Sequence, residues 1–451
     1  MKPMGPVSGG VRGWPFAAAA FDLAAVGYAE EEWFFEGEAA TYRHRSGSDR
    51  TWDGRWEAEV AGVLPFRSRM LVRRPIDPAR WNGSACLLWN NVSHGFDLIV
   101  GESAELYDGG FALVAVSAQA HGVHGYPGGA TPGLVVWDPE RYGTLSIPGD
   151  EASYDIYTQA ARIARSGALG FAARRVIGVG ASQSAVYLAT YLNAIQPLSR
   201  ALDACILDIY FGNGSALQPP PSTVRDPSQI AAAVTQMPPG AHRLRDDLDI
   251  PVFVLNSESE STLHHPVRQP DTDRYRYWEV AGVAHSSRER GTERIPSSWP
   301  RDLGTNESRI GTPPDANVLR LDEVRSSVLR HVQRWLAEGT APPIQPRIEF
   351  DEAPDGKPLI RRDALGLALG GVRLPDVEVP LARHSGLAVD GTLSLSGSTI
   401  PFDAALLRQL YPDEATHRAR RAAARRRAVE AGELRPEDAA IEQTRWPLPP
   451  Q

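Results

Sequence analysis

The 451-residue sequence has little of what marks several classes of protein. It holds two cysteines, Cys86 and Cys205, and both lie in apolar runs that predict core strands. Two such residues provide neither a disulfide scaffold nor a cysteine-based metal site, so we expect buried free thiols. No run of 18 apolar residues occurs, so we expect no membrane-spanning helix.

Clear targeting signals are also lacking. The apolar segment 14–25 is interrupted by Pro15 and Asp22 and has weak flanking charge, so we interpret it as mature protein rather than a secretion signal. A cytoplasmic location follows by default.

The chain has no excess of positive charge: 47 Lys and Arg stand against 55 Asp and Glu, for a net charge of −8. Because binding to phosphate backbones needs a basic surface, this argues against a nucleic-acid or anionic-membrane partner. Six arginines within residues 417–427 are the exception, and we interpret them as the solvated face of an Ala/Arg helix. The composition leaves a small-molecule substrate and a homo-oligomer open.

What the sequence does contain is an alternation of short apolar runs and helical patterns. Continuous apolar runs, typical of strands covered on both faces, lie at 85–89, 111–116, 175–179, 204–209 and 251–255, followed by a last strand at 274–281. Residues 67–73 alternate like an exposed strand near a sheet edge. Helices are predicted over 96–106, 154–165, 183–195 and 318–336. The alternation predicts an α/β fold with a mostly parallel central sheet flanked by helices.

Two segments differ from this pattern. Residues 212–247 are rich in proline, glycine and polar side chains and are longer than an ordinary connection, so we predict a lid insertion there. From residue 342 onward the sequence has more glycine, proline and arginine. We therefore predict a core over 1–341 and a C-terminal extension over 342–451 that packs on it.

A serine stands at one predicted strand-to-helix junction, where Gly180–Ser184 reads G-A-S-Q-S. A residue at so tight a corner takes up a strained backbone conformation and is exposed above the sheet, provided that its neighbours two positions away are small. Both neighbours are small here, although the usual pattern ends in glycine rather than serine. Ser182 is therefore the candidate nucleophile, and the alternative is a simple helix cap.

A serine hydroxyl needs a neighbouring base, and the base needs an orienting acid. His285 follows the last predicted strand after a small-residue turn, so we assign it as the base. The acid is expected just after the preceding strand, where Glu258 and Glu260 both occur. We prefer Glu260, because it stands three residues beyond a small residue at the strand end. Glu258 is the alternative, and Asp208, late in an earlier strand, is a third candidate.

Acyl transfer also needs N–H groups that stabilise a negative oxygen. We expect one from Gln183, the residue after the nucleophile, and a second from Asn91 or Val92, in the loop after the strand at 85–89. The same loop residues are also good turn formers.

Residues around the predicted site suggest a pocket. Tyr210 and Phe211 are candidates for an apolar wall, with core packing as the alternative, and His94 lies in a loop that can line the pocket. His94, His121 and His124 lack an acidic or cysteine partner at metal-ligand spacing, so we predict no metal site.

Six segments spread over most of the chain carry a likeness to one family. They are Phe21–Tyr28 (FDLAAVGY), Glu140–Gly143 (ERYG), Pro148–Asp150 (PGD), Gly180–Ser184 (GASQS), Glu279–His285 (EVAGVAH) and Gly370–Pro375 (GGVRLP). They resemble the bacterial alpha/beta hydrolase domain family of large esterase-like proteins; ordinary small esterases lack the last motif. The resemblance implies an α/β-hydrolase fold and a cofactor-free hydrolase with a Ser-acid-His triad. It implies no particular substrate, since this fold supports many activities.

These inferences predict a serine hydrolase that cleaves a small carboxylic ester, lactone or thioester through an acyl-enzyme. Two alternatives stay open: an acyltransferase or lactone-forming cyclase with the same triad, and a non-catalytic ligand receptor on a hydrolase scaffold. A serine nucleophile argues against epoxide hydrolase and dehalogenase chemistry, which on this fold normally use aspartate.

Overall fold

A computed structural model describes residues 2–45, 50–126, 132–219, 241–287, 296–304, 313–353 and 356–439. The main sheet is built from β1 Tyr28–His44, β2 Ala58–Pro75, β3 Ser84–Trp89, β4 Ala112–Val116, β5 Arg175–Ala181, β6 Ala204–Asp208, β7 Val252–Ser257 and β8 Tyr275–Val280. Within the described residues these eight strands lie in the order β1-β2-β4-β3-β5-β6-β7-β8. β1 and β2 pair antiparallel, as do β2 and β4, and every other neighbouring pair is parallel. The predicted, mostly parallel sheet is confirmed.

The α-helices that the structure describes are α1 Ala104–Asp108, α2 Ala120–His124, α3 Leu134–Trp137, α4 Pro139–Tyr142, α5 Ser153–Arg165, α6 Gln183–Thr190, α7 Gln196–Ser199, α8 Glu258–His264, α9 Trp299–Leu303, α10 Asp322–Glu338, α11 Pro375–Glu378, α12 Ala404–Leu410, α13 Glu414–Glu430 and α14 Pro436–Ala439. A π-helical turn, Tyr191–Ile195, follows α6. None of these helices combines the length and the apolar character needed to cross a membrane.

The sheet is covered on both faces, which explains its unbroken apolar strands. Every residue of β3 and β4 is buried. One face packs against α5 and α6, and the other packs against α10. Cys86 in β3 and Cys205 in β6 are buried free thiols, as predicted. The layers leave the carboxyl ends of β5, β6 and β7 at one edge of the sheet.

The segment at 67–73 is a strand near a sheet edge, as expected, but it is not exposed. It belongs to the long strand β2, which pairs with the edge strand β1 on one side and with β4 on the other. Two of its three arginines are buried in ion pairs: Arg69 pairs with Glu32, and Arg73 Nε lies 2.7 Å from Glu30 Oε2. Arg67 is partly exposed and pairs with Glu36 at the surface. The polar positions of this segment therefore reflect internal ion pairs more than contact with water.

The helix predicted over 96–106 is also wrong. Only Ala104–Asp108 is helical, because Leu98 turns back and exchanges two backbone hydrogen bonds with Asn91. Phe96 and Leu98 are buried through this turn rather than on one helix face.

The predicted lid lies largely outside the described residues, since 220–240 are not among them. The two described ends of the insertion lie side by side: Asn213 forms an antiparallel bridge with Ala241, and the His242 N–H donates to the Gly212 carbonyl at 3.2 Å.

The C-terminal segment contains two small hairpins, which pack against α8, and a loop that reaches the main sheet. The hairpin strands are β9 Phe350–Glu352, β10 Pro358–Ile360, β11 Ala382–Leu387 and β12 Leu393–Pro401. Val372 forms a parallel bridge with Val280, the last residue of β8. The Val372 N–H donates to the Glu279 carbonyl at 2.7 Å, and the Ala281 N–H donates to the Val372 carbonyl at 3.0 Å. The segment thus continues the sheet beyond β8, while the division into a core and an extension stays a prediction.

The arginine-rich run lies in α13, and part of it is not solvated. Arg421 Nη1 lies 2.7 Å from Asp376 Oδ1, and the buried Arg425 donates to the Asp438 carbonyl at 2.6 Å. These contacts tie α13 to α11 and α14, which is a structural role that the composition did not indicate.

Candidate active site

Ser182 stands at the junction of β5 and α6 in a strained backbone conformation. Its φ is 57° and its ψ is −119°, a region that costs a non-glycine residue free energy. The side chain is half-buried and makes no capping hydrogen bond to the described residues of α6, so the helix-cap interpretation is wrong. The Ser182 N–H donates to the Asp208 carbonyl at 3.0 Å, which fixes the corner to the end of β6.

The small residues that flank the corner have the predicted steric role. A Cβ added to Gly180 would stand 2.9 Å from the Ser184 carbonyl oxygen, so strand and helix nearly touch. The Ser184 hydroxyl accepts from the Ala181 N–H at 2.8 Å and lies 2.9 Å from the Ala181 carbonyl oxygen. The serine that stands in place of the usual glycine therefore stabilises the turn through hydrogen bonds from its side chain.

Glu260 and His285 lie together at the same edge of the sheet. His285 Nδ1 and Glu260 Oε1 are 2.7 Å apart, and the Glu260 side chain is fully buried. The other carboxylate oxygen accepts from the Ser257 N–H at 2.9 Å and from the Ser257 hydroxyl at 2.6 Å. Ser257 and Glu260 form the capping box of α8, so the helix start itself aims the carboxylate.

The charge state of Glu260 follows from these partners. Burial alone would raise its pKa, but the charge of His285 and the hydrogen bonds from His285 and Ser257 hold the pKa below the ordinary 4.5. An ionised carboxylate can only accept, so His285 Nδ1 carries the proton. Nε2 is then the basic nitrogen, which is the tautomer that a general base needs.

The other two acid candidates have different partners. Glu258 Oε1 accepts from Arg362 at 2.7 Å and from Ser385 at 2.9 Å, and Oε2 accepts from the Gly282 N–H at 2.7 Å. Asp208 Oδ2 accepts from Arg325 Nε at 2.6 Å. Glu258 therefore holds the C-terminal segment, and of the three carboxylates Glu260 is the one that contacts the imidazole.

The loop after β3 contacts both neighbours of Ser182. The Asn91 side-chain amide donates to the Ala181 carbonyl at 3.0 Å, and the Val92 N–H donates to Gln183 Oε1 at 3.1 Å. The Asn91 N–H itself is taken by the Leu98 carbonyl at 3.0 Å. Of the two predicted loop donors, Asn91 is thus engaged in the backbone of the loop, and Val92 meets the residue after the nucleophile.

A match to a family model agrees with this arrangement. The model described as alpha/beta hydrolase domain matches residues 3–442. The chain belongs to the alpha/beta hydrolase domain family. The resemblance inferred from the sequence motifs is confirmed, and the α/β-hydrolase fold with it.

Individual proteins resemble this chain much less closely than the family model does. No curated protein matches the sequence. Among solved structures, the chain is similar to esterase Est22 with p-nitrophenol, at 14% identity and a TM-score of 0.28, over 51% of this chain and 64% of that chain. It is also similar to a fungal esterase from Rhizomucor miehei, at 11% identity and a TM-score of 0.31, over 70% of this chain and 88% of that chain. The Est22 match spans less than two thirds of the length of Est22, and membership of the family rests on the family model.

The three predicted pocket residues of this alpha/beta hydrolase domain protein lie in different surroundings, and one of them contacts His285. Phe211 stacks on His285, with ring centroids 5.2 Å apart. Tyr210 is buried and packs edge-on against His264 at 5.6 Å, so it belongs to the core. The His94 ring packs against Trp299 at 5.4 Å. Phe211 is the pocket candidate that the structure brings to the imidazole.

A hydrogen-bonded chain beside the strand-to-helix turn at Ser182 was not predicted from the sequence. Asp150 accepts from the Ala120 N–H at 2.7 Å, from Gln119 Nε2 at 2.9 Å and from the Tyr187 hydroxyl at 3.0 Å. Burial would raise its pKa, but hydrogen bonds from His121 and Gln119 hold the pKa below 3.8. The PGD motif, part of the family resemblance, was the available signal.

The described residues contain no group of three His, Cys, Asp or Glu side chains that could hold a metal ion. His121 Nδ1 lies 3.7 Å from Asp150, and His124 Nε2 accepts from the Ile147 N–H at 3.2 Å. Both histidines have local partners of their own.

Proposed function

We propose that this chain is a serine hydrolase that cleaves a carboxylic ester, lactone or thioester through an acyl-enzyme. The observation that carries the proposal is the 2.7 Å contact between His285 Nδ1 and Glu260, at the sheet edge where Ser182 holds its positive φ. A half-buried serine on a strained turn and an acid-oriented imidazole are the two parts of an activated nucleophile.

In the proposed reaction, His285 Nε2 takes the proton of the Ser182 hydroxyl while Oγ attacks the substrate carbonyl carbon. Glu260 stabilises the imidazolium that forms. The negative oxygen of the tetrahedral intermediate is held by the backbone N–H of Gln183 and by that of Val92. The imidazolium then protonates the leaving group as its bond to the carbonyl carbon breaks. His285 next takes a proton from a water molecule whose oxygen attacks the acyl carbon, the bond to Ser182 Oγ breaks, and the proton returns to Oγ.

A small carboxylic ester is the preferred substrate class. The ring of Phe211, stacked on His285, supports an apolar group beside the reacting carbon. No cofactor is needed, because the nucleophile, base and oxyanion donors are all supplied by the chain.

Ser182→Ala removes the proposed nucleophile. This variant should fold normally yet lose hydrolysis of p-nitrophenyl esters by about 10³-fold or more, because the nucleophile is gone. A fluorophosphonate probe should label the wild type on Ser182 and leave the variant unlabelled. Intact-mass measurement across an ester panel should show the acyl-enzyme in the wild type only.

The matched control is Ser184→Ala, the other serine of the same motif. Among the described residues its hydroxyl bonds to the Ala181 backbone, so its loss should lower the melting temperature while the probe still labels Ser182. Unchanged turnover in Ser182→Ala would refute the proposal, and so would an unlabelled wild type that hydrolyses none of the panel.

A further inference from the structure

The N–H of Val92 differs from its neighbours in what it bonds to. The N–H groups around it are held by fixed partners of the loop and sheet: Asn90 by the Val116 carbonyl at 3.2 Å, Asn91 by the Leu98 carbonyl at 3.0 Å and Ser93 by Asn91 Oδ1 at 2.8 Å. Val92 instead donates to Gln183 Oε1 at 3.1 Å. The partner is thus the side-chain carbonyl of a half-buried residue on another element, directly after the nucleophile.

The orientation of the Gln183 side-chain amide is fixed by a chain of hydrogen bonds that runs from the Val92 N–H to the Asp150 carboxylate. A backbone N–H can only donate, so the atom that faces Val92 is the carbonyl oxygen. Gln183 Nε2 therefore donates to Gln119 Oε1 at 3.0 Å, and Gln119 Nε2 donates to the Asp150 carboxylate at 2.9 Å. The Trp89 indole N–H also donates to Gln119 Oε1, at 3.1 Å, which fixes the middle of the chain.

The loop does not depend on Gln183 for its shape. The Asn91 side chain is bonded to the Ala181 carbonyl, and Asn91 and Leu98 exchange two backbone hydrogen bonds of 3.0 and 2.8 Å. The Gly95 N–H closes the turn on the Val92 carbonyl at 2.9 Å. When the Gln183 side chain leaves, the Val92 N–H stays where these bonds hold it.

We propose that the Gln183 side chain is a removable cap on the oxyanion hole. Its Oε1 occupies the acceptor position at the Val92 N–H in the free protein, and the substrate carbonyl oxygen displaces it. This inference rests on the proposed hydrolase function. Gln183 then has two separate roles: its backbone N–H is an oxyanion donor in every variant, whereas its side chain is a positioning group that competes with the substrate.

The cap has a kinetic consequence. Each substrate must break the hydrogen bond between Gln183 and Val92 before its own oxygen is held. A neutral hydrogen bond is worth a factor of about two to ten in an equilibrium. The cap therefore lowers kcat/KM by about that factor, and it keeps the donor from binding other acceptors while no substrate is present.

The test compares Gln183→Met and Gln183→Glu with the wild type. Methionine has a similar length and cannot accept strongly, so kcat/KM for p-nitrophenyl butyrate should rise about two- to tenfold. The inhibition constant of phenylboronic acid, whose serine adduct places an oxygen in the hole, should fall by a similar factor. Glutamate keeps an acceptor and adds a negative charge. In Gln183→Glu, kcat/KM should therefore fall and the inhibition constant of phenylboronic acid should rise.

Gln196→Met is the matched control. Gln196 is buried and donates to the Leu202 carbonyl at 2.9 Å, away from the elbow, so this variant should lose stability without any gain in kcat/KM. A wild type that is active and labelled on Ser182, combined with a Gln183→Met variant of unchanged or lower kcat/KM and boronate affinity, overturns the cap while the hydrolase function stands. A wild type that is inactive and unlabelled overturns both.

Discussion

The Glu260 carboxylate has two partners, since one oxygen caps α8 and the other meets His285. Glu260→Gln keeps the size of the side chain but removes its charge, so it no longer stabilises the imidazolium or fixes its tautomer. We expect kcat to fall by about 10³- to 10⁴-fold with a small change in KM, measured by steady-state hydrolysis of p-nitrophenyl esters.

Glu258→Gln is the control at the neighbouring acid. Glu258 bonds to Arg362, Ser385 and Gly282 rather than to the imidazole, so this variant should lose stability and keep most of its kcat. A larger loss of kcat in Glu258→Gln than in Glu260→Gln would reverse the assignment of the acid.

The lowered pKa of Glu260 also gives stability a pH dependence. The carboxylate binds protons less readily in the folded state than in the unfolded chain, whose pKa is near 4.5. The contribution of Glu260 to the free energy of unfolding is therefore fully present above the unfolded-state pKa. It is lost as the pH falls through the lower, folded-state pKa. Urea unfolding between about pH 5 and pH 3 should show a steeper loss in the wild type than in Glu260→Gln, and equal slopes would contradict the shift.

At this scale the sequence could place Ser182 at a strand-to-helix junction and His285 after the last strand, because both patterns are local. Their catalytic roles stay predictions. It could not separate Glu258 from Glu260 by contacts, since Arg362 and Ser385, which engage Glu258, lie about a hundred residues or more further along the chain. Val92 could be proposed as an oxyanion donor from its place in the loop after β3. That its N–H bonds to the Gln183 side chain in the free protein could not be predicted.

At the scale of elements, α8 lies between the main sheet and the C-terminal segment. The Ser259 hydroxyl donates to the Gly386 carbonyl at 2.6 Å, and the His285 N–H donates to the same hydroxyl at 3.1 Å. Together with the Glu258 bonds, these contacts fix the helix start that aims Glu260. The C-terminal segment thus supports the acid through Glu258 and Ser259 of the same helix.

Arg362→Met tests this support. It leaves the buried Glu258 carboxylate without its charged partner, so we expect a loss of about 2–3 kcal/mol in the free energy of unfolding. Arg361→Met is the control, since Arg361 pairs with Glu349 at the surface and should change stability by about 0.5 kcal/mol or less. Thermal unfolding measures both variants, and equal melting temperatures would contradict the role of Arg362.

Helices and strands were predicted well where a run of residues is continuously buried. They were predicted poorly where contacts with residues distant in sequence determine the local structure. The buried strands and α5 follow directly from apolar runs and helical spacing. The long strand β1 was missed, and residues 67–73 of β2 were predicted to be exposed, because charged residues of the two strands pair with each other inside the protein. Segment 96–106 has helical spacing, yet pairing of Leu98 with Asn91 determines its shape.

At the scale of the whole molecule, the family motifs span both the strands of the main sheet and the C-terminal segment. Gly370–Pro375 contains Val372, which bridges to Val280 at the end of β8 and so covers the outer side of that strand. Gly371 approaches closely, since an added Cβ would stand 2.8 Å from the Glu279 carbonyl. In this chain the motif therefore supports the strand that leads to His285.

The fragment 1–341 should therefore not form a working hydrolase. Without the rest of the chain, the outer side of β8 loses its partner, and the core loses the fully buried side chains of Leu367 and Val372. Exposed strand edges and apolar surface promote aggregation. We expect an insoluble or unlabelled fragment in a solubility assay with the fluorophosphonate probe, and co-expression of 342–451 as a separate chain should restore soluble, labelled protein. A soluble fragment that is labelled on Ser182 by itself would show that the first 341 residues fold and position the nucleophile without the C-terminal segment.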